Sequence, residues 1–211
     1  MQVGVIPVTA FQQNCSVIVC EQTKKAAVVD PGGDLERVYE FIDKEGVEVD
    51  KILITHAHID HAGATSELAA KLKVPVIGPH HDDEFLIQTL AQQGMMFGLP
   101  HAAPFVPDRW LEQGDVVEVG SERFEVRHCP GHTPGHVVFY NPVRKFALVG
   151  DVLFHGSVGR TDLPRGDHET LMASLRDQIL TLPDDTTFLS GHGPTSTIGV
   201  QRRINPYLQD L

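Results

Sequence analysis

The sequence predicts a mixed α/β protein in which two β-sheets carry helices on their outer sides. Short apolar, β-branched runs recur along the chain and have the length of buried strands. Other segments have helical composition with apolar residues on one face. The order of these segments is strands, helix, strands and helix again. This order favours two sheets with helices outside.

The predicted elements follow one another with short polar breaks. Asp34 follows a Pro-Gly-Gly turn and is predicted to cap the first helix. Residues 93–109 contain three prolines and two glycines without periodicity, so they form either a lid or a plain surface connection. In chain order, the elements are strands over 2–8, 15–20 and 26–29, a helix over 35–45, a strand over 51–55, a helix over 62–72, a strand over 74–77, a polar helix over about 80–92, hairpins 116–119/124–127 and 137–140/146–149, a helix over about 168–180, a strand over 187–189 and a short helix near 197–204.

Length and composition limit the classes of function. The chain has 211 residues and 41% hydrophobic residues, which indicates one soluble domain spanning 1–211. Its formal charge of −11 argues against nucleic acid and against a membrane surface as partners. No segment has the apolar length of a membrane span or the features of a signal peptide, and three cysteines without CxxC spacing fit a reducing compartment. We therefore expect a cytoplasmic protein, whose oligomeric state the sequence leaves open.

The stretch Thr-His-Ala-His-Ile-Asp-His at 55–61 is the strongest functional signal. It lies between a predicted strand end and a predicted helix start, and it offers four metal ligands within six positions: His56, His58, Asp60 and His61. Buried imidazoles and carboxylates are costly unless their polar atoms are satisfied. His/Asp clusters are the ligand chemistry of zinc and its neighbours. The stretch therefore predicts a metal site.

Three later strands end in the same way, each at a glycine-containing turn. These turns carry His132, Asp151 and His192. Seven ligands exceed the needs of one tetrahedral zinc and fit two ions about 3.5–4 Å apart. We predict that His56, His58 and His132 hold the first ion and that Asp60, His61 and His192 hold the second. In this hypothesis Asp151 bridges the ions opposite a water or hydroxide that acts as nucleophile, and Asp60 orients that nucleophile.

The remaining histidines have less specific interpretations. Three of them flank the ligand turns and are candidates to contact and orient the ligand side chains; these are His128, His136 and His155. Cys129 is predicted to be a small buried residue and not a nucleophile. The others lie in polar or irregular stretches and are predicted to be solvated; these are His80, His81, His101 and His168.

The motifs HxHxDH at 56–61, GHTPGH at 131–136, GD at 150–151 and GHG at 191–193 resemble the metallo-β-lactamase superfamily. Within it, the chain resembles the glyoxalase II group (hydroxyacylglutathione hydrolases), and most of all the short bacterial YcbL-like form. The strings at 9–16, 107–111 and 159–168 carry this second resemblance. It implies an αββα four-layer sandwich with a metal site at one edge of the sheets.

The resemblance also implies an activity and further site residues. It implies a dinuclear hydrolase that converts S-D-lactoylglutathione, a glutathione thioester, to D-lactate and glutathione. The two divalent ions are expected to be Zn²⁺, with iron or manganese as alternatives. Asp30 matches an aspartate that supports the site, and Arg160 matches a basic residue that pairs with a glutathione carboxylate.

The chain departs from the longer glyoxalase II enzymes in two ways. It is expected to have no C-terminal helical domain, and Gly193-Pro194 stands where those enzymes have an acidic residue and a tyrosine. Two alternatives therefore stay open. One is a mononuclear Fe(II) persulfide dioxygenase, a group that typically has cysteine at the position of His136. The other is a related lactone or ester hydrolase acting at the same site.

Overall fold

The computed structural model describes residues 1–209 and 211. Two mixed β-sheets contain eleven of its thirteen strands. The strands are β1 (Gln2–Val8), β2 (Gln13–Val19), β3 (Lys25–Val29), β4 (Glu48–Leu53), β5 (Val76–Ile77), β6 (Val116–Val119), β7 (Glu122–His128), β8 (Val137–Asn141), β9 (Phe146–Gly150), β10 (Leu153–Phe154), β11 (Ser157–Val158), β12 (Thr187–Ser190) and β13 (Ser196–Thr197). The first sheet has the order β1-β2-β3-β4-β5, the second has the order β13-β12-β9-β8-β7-β6, and β10 pairs with β11.

The helices lie in the connections between strands. They are α1 (Leu35–Glu45), α2 (Ile59–Ala62), α3 (Thr65–Leu72), α4 (Glu84–Gln88), α5 (Leu90–Phe97), α6 (His168–Ser174) and α7 (Ile198–Ile204). Short 3₁₀ turns occupy His81–Asp83 and Pro206–Leu208, and α6 continues as a π-helical turn over Leu175–Ile179. Within residues 1–209 and 211, no helix is both long enough and apolar enough to cross a membrane.

Both sheets are buried on both faces, which explains why the strand sequences are nearly continuous apolar runs. Side chains alternate between faces along a strand. In β2, Ile18 packs into the core between the sheets, whereas Val17 and Val19 pack on the outer side with Leu35 of α1 and Leu68 of α3. The outer face of the second sheet packs against α6 through Leu171. The result is the predicted αββα four-layer sandwich.

The strand directions bring the chemically active turns to one edge. β3 and β4 are parallel, so the turns that follow them lie at the same end of the first sheet. In the second sheet β9 and β12 are parallel, and β7 runs the same way because it and β9 are both antiparallel to β8. The two edges are joined where the N–H of Val137 donates to the carbonyl of Thr55 at 2.8 Å.

Several local predictions were wrong in detail. Asp34 adopts a left-handed conformation and makes no side-chain cap; its carboxylate instead accepts the Thr9 N–H at 2.7 Å. The helix predicted over 62–72 begins at Ile59 and is broken before Thr65, so two of the predicted ligands lie within helix α2. The polar helix over 80–92 is three short pieces, and α5 extends to Phe97, into the stretch predicted to be irregular.

Candidate metal centre

The structure brings all seven predicted ligands together at this edge. His56 and His58 follow β4, and Asp60 and His61 lie in α2. The second sheet supplies the other three from the turns after β7, β9 and β12. They form two groups in which one ligand atom of each member lies within 4.8 Å of the others: the first cluster is His56, His58 and His132, and the second cluster is Asp60, His61 and His192.

Asp151 lies between the two clusters. Its Oδ2 is 3.6 Å from Nε2 of His132 in the first cluster and 3.7 Å from Nε2 of His192 in the second. Its Oδ1 is 3.3 Å from Nε2 of His61. One carboxylate therefore faces nitrogen atoms of both clusters, which is the arrangement that a shared ligand requires.

Neighbouring groups fix which nitrogen of each imidazole faces inward. Asp30 accepts from Nδ1 of His61 at 2.9 Å and from both the N–H and the hydroxyl of Thr55. The Thr55 hydroxyl oxygen accepts in turn from Nδ1 of His56 at 3.1 Å, since its own proton goes to Asp30. Nδ1 of His132 donates to the carbonyl of Arg160 at 2.7 Å. Nε2 is then the nitrogen that faces the centre in all three imidazoles.

Three buried ligand atoms have no hydrogen-bond partner among the described residues: Nε2 of His56, Nε2 of His61 and Oδ1 of Asp151. An unsatisfied buried polar atom costs about 1–3 kcal/mol, so three of them converging on one space need an explanation. Each belongs to a side chain of a type that ligates divalent ions, and Nε2 of His61 and Oδ1 of Asp151 face each other at 3.3 Å. The donor set of imidazole and carboxylate therefore fits divalent metal ions.

The electrostatics of the centre agree with this fit. Burial and the surrounding rings lower the pKa of His56 well below its usual range, and burial lowers that of His58 to about 3, so both imidazoles are neutral. Burial opposes ionisation of Asp151, but His61 and the other rings hold the pKa of its carboxyl below its usual range. For His61, burial is outweighed by Asp151 and Asp60, which raise its pKa well above the ordinary value. The space between the carboxylates thus favours positive charge.

Access to the centre is uneven. His56 and His61 are completely buried, whereas the His192 side chain is 31% exposed and the Asp60 side chain 16%. Nε2 of His192 lies 3.1 Å from Oδ2 of Asp60. The second cluster therefore faces solvent, whereas the first is enclosed.

The side chain of Arg160 is exposed and already binds a carboxylate of this chain. Its guanidinium forms an exposed bidentate ion pair with Asp162, with both nitrogen-to-oxygen distances at 2.7 Å. Its backbone carbonyl is the part that reaches the centre, through His132. Binding of a substrate carboxylate by Arg160 stays a prediction, and it requires the guanidinium to exchange one carboxylate for another.

The other histidines separate into two kinds. His80 is not solvated as predicted, because its ring stacks on His128 at 4.1 Å between centroids. His80, Asp82 and His128 form a further His/Asp group. Both ring nitrogens of His80 and Nε2 of His128 already make hydrogen bonds there, to Glu112, the Asp82 N–H and the Pro134 carbonyl. His81 is exposed as predicted, at 59% of its side chain. Cys129 is buried, which raises the pKa of its thiol to about 12 and leaves it inert as a nucleophile.

Asp83 joins the two loops that carry the first cluster, and sequence reasoning missed it. This carboxylate is completely buried. It accepts the N–H of Ala57 at 3.0 Å, between His56 and His58, and the N–H of Gly135 at 2.6 Å and the hydroxyl of Thr133 at 2.9 Å, on the loop of His132. Asp83 lies in a stretch predicted to be a polar helix, and its partners are 26 to 52 residues away. No local signal identifies such a contact.

Replacing Asp83 with alanine is expected to destabilise the protein and loosen the first cluster. The change leaves two backbone N–H groups buried and unpaired, and each costs about 1–3 kcal/mol, so we expect a loss of roughly 3 kcal/mol in the free energy of unfolding. Metal affinity should fall about 10–100-fold. Denaturant unfolding and metal titration measure the two effects. Asp82→Ala, next to it and 56% exposed, should stay within about 0.5 kcal/mol of wild type; equal losses in both variants contradict this role for Asp83.

Comparison with known proteins identifies the family. Residues 8–192 match the metallo-beta-lactamase superfamily. The chain is 46% identical to hydroxyacylglutathione hydrolase GloC of Haemophilus influenzae, over 99% of this chain and 98% of that protein. Among solved structures it is similar to BLEG-1 B3 metallo-beta-lactamase, with a TM-score of 0.89, 37% identity and coverage of 98% and 99%. It is also similar to TTHA1623 in a di-iron-bound form, with a TM-score of 0.88, 38% identity and coverage of 97% and 100%.

A four-layer sandwich with this histidine and aspartate centre at its edge is the architecture of a metal-dependent hydrolase, and the chain is such an enzyme. It belongs to the metallo-β-lactamase superfamily and, within it, to the glyoxalase II group, as the motifs predicted. The fold and the clusters together suggest that it uses divalent metal ions.

Proposed function

We propose that the enzyme hydrolyses glutathione thioesters, with S-D-lactoylglutathione as the substrate and D-lactate and glutathione as products. The 46% identity to a protein named hydroxyacylglutathione hydrolase supports the substrate class. The position of Asp151 between two clusters is the observation that carries the mechanism, because it supports a centre with two ions. In this proposal the first and second clusters hold one ion each and share Asp151.

The proposed metal is Zn²⁺, because five imidazoles and two carboxylates form a ligand set that zinc accepts readily. The same set accepts iron and manganese. The similarity to TTHA1623, whose structure is a di-iron-bound form, supports two ions and keeps iron as the alternative. When bound, the two ions supply an acidified water, with a pKa lowered towards about 7, and positive charge for the developing oxyanion.

The chain's own residues orient the reacting groups. In this proposal Asp60, which is partly exposed beside His192, orients the attacking water while it serves as a ligand. Asp30, Thr55 and the Arg160 carbonyl contact Nδ1 of His61, His56 and His132, which leaves Nε2 of each ring directed at the centre. Water adds to the carbonyl carbon, the C–S bond breaks, and a carboxylate and a thiol result. A thiol has a pKa of about 8.5, so the thiolate leaves without a strong general acid.

The proposal is tested by turnover on protein of measured metal content. Zinc-loaded, iron-loaded and manganese-loaded enzyme is offered S-D-lactoylglutathione, simple thioesters, lactones and a β-lactam, and oxygen uptake is followed with glutathione persulfide. We expect two ions per chain and a value of kcat/KM for S-D-lactoylglutathione that exceeds those for the other substrates. A chelator should remove the activity and metal should restore it. Oxygen consumption by protein with one iron per chain, or preference for a lactone or β-lactam, contradicts the proposal.

A further inference from the structure

His136 is a buried imidazole that the proposed chemistry does not use. It is the residue immediately before β8, its exposure is zero, and its ring stacks on His56 with 4.6 Å between centroids and an interplanar angle of 18°. Its Nε2 accepts the backbone N–H of Asp151 at 3.0 Å. His136 thus contacts one ligand of the first cluster and the residue that lies between both clusters.

The hydrogen bond to Asp151 defines the chemical state of this ring. Because Nε2 accepts, it carries the lone pair, and the proton of the neutral imidazole is on Nδ1. Nδ1 has no hydrogen-bond partner in residues 1–209 and 211. A buried N–H without a partner is costly; an apolar side chain of similar size would avoid this cost but would leave the N–H of Asp151 without an acceptor.

The backbone at Gly150 explains why an acceptor is needed here. Gly150 ends β9 and adopts a left-handed conformation with φ of 48°, which turns the chain out of the sheet at Asp151. The N–H of Asp151 therefore leaves the strand ladder and bonds to a side chain. A Cβ at residue 150 would lie 2.6 Å from Nε2 of His136 and 2.7 Å from the Thr55 hydroxyl. The glycine supplies both the turn and the room for the imidazole.

We propose that His136 is a positioning residue for the shared carboxylate: its Nε2 holds the backbone of Asp151 so that the side chain lies between the two clusters, and its ring supports His56. This inference rests on the proposed function in one respect, that Asp151 is a ligand to both ions. It goes further, because it states that His136 determines the position of the Asp151 carboxylate. The Asp151 side chain is attached one bond from the anchored nitrogen, so a small rotation there moves both carboxylate oxygens.

The test compares two substitutions of similar size. Glutamine can place Oε1 where Nε2 of the imidazole accepts, whereas methionine fills the space without a strong acceptor. His81→Gln, at an exposed position, is the matched control. For each protein we measure metal affinity by competition with a chelator, the absorption spectrum of the cobalt-substituted form, and the unfolding of the metal-free form.

For His136→Met we expect metal affinity to fall about 10–100-fold and the cobalt spectrum to change. The stability of the metal-free protein should stay close to that of wild type, because loss of the unpaired Nδ1–H offsets the unpaired N–H of Asp151. His136→Gln should recover most of the affinity and the wild-type spectrum. Wild-type affinity and spectrum in His136→Met overturn the proposal. Equal losses of metal affinity in both variants, together with equal losses of metal-free stability, also overturn it. Such losses would show that His136 acts only by packing.

These measurements separate this inference from the proposed function. Wild-type protein that binds two ions but does not turn over S-D-lactoylglutathione overturns the proposed substrate, and the comparison of His136 variants is unaffected. Wild-type protein that binds fewer than two ions when fully loaded overturns both.

Discussion

Asp151→Ala is expected to retain less than one ion per chain and to lose about 10³-fold or more in thioester hydrolysis. Its Oδ2 lies within 3.7 Å of a nitrogen of each cluster, so removal of the carboxylate takes a ligand from both proposed ions at once. It also removes the negative charge that favours a cation beside His61. Loss of one preorganised charged group in an active site costs about 10²–10³-fold, and a shared ligand should cost more.

Metal analysis after dialysis and initial rates with S-D-lactoylglutathione measure this effect. Asp177→Ala is the matched control. Asp177 is exposed, and within residues 1–209 and 211 its carboxylate pairs only with Arg176. Unfolding of both metal-free variants separates loss of metal from loss of fold. Activity close to wild type in Asp151→Ala would show that the carboxylate does not bridge.

Gly32→Ala is expected to disrupt the second cluster through the backbone. Gly32 lies in the buried turn after β3, and a methyl group there would lie 1.6 Å from the carbonyl oxygen of Asp60. The same turn is bonded to the helical segment beyond, since the N–H of Ala64 donates to the carbonyl of Pro31. Neither backbone can yield without moving α2, which carries Asp60 and His61. Overpacking of this kind costs about 1–3 kcal/mol, and we expect bound metal to fall towards one ion per chain.

The control for this prediction is Gly114→Ala. Gly114 has a φ of 84° but open space around it, so alanine there should cost about 1–2 kcal/mol of backbone strain with no change in metal content. Metal analysis should therefore show a loss of bound metal only in Gly32→Ala, and denaturant unfolding should show a loss of stability in both variants. Two ions per chain in Gly32→Ala would show that the turn can move away from Asp60.

The sequence was sufficient for the ligands because their signals are local. Each lies in a short motif at the end of an apolar strand, and the parallel directions of those strands bring the ends together. Two sheets with outer helices followed from the order of apolar strands and helices, and the resemblance to the superfamily implied the four-layer sandwich. These features depend on residues close in the chain, so a single sequence reveals them.

The contacts that hold the ligands could not be predicted in the same way. Asp83 bonds to residues on two distant loops, and the acceptor role of His136 depends on a left-handed turn at Gly150, fifteen residues further along. Asp34 has the residue type and position of a helix cap, yet its carboxylate accepts the Thr9 N–H instead. In each case a tertiary partner decides the role, and local sequence does not contain that partner.

The two edges that meet at Thr55 and Val137 have a thermodynamic consequence for the whole molecule. One sheet provides four of the seven ligand side chains and the other provides three. Cations bound across this seam, as proposed, connect the two halves of the sandwich. They stabilise the folded state by an amount that grows with the logarithm of free metal concentration. The melting temperature of the enzyme then becomes a measure of the metal supply around it.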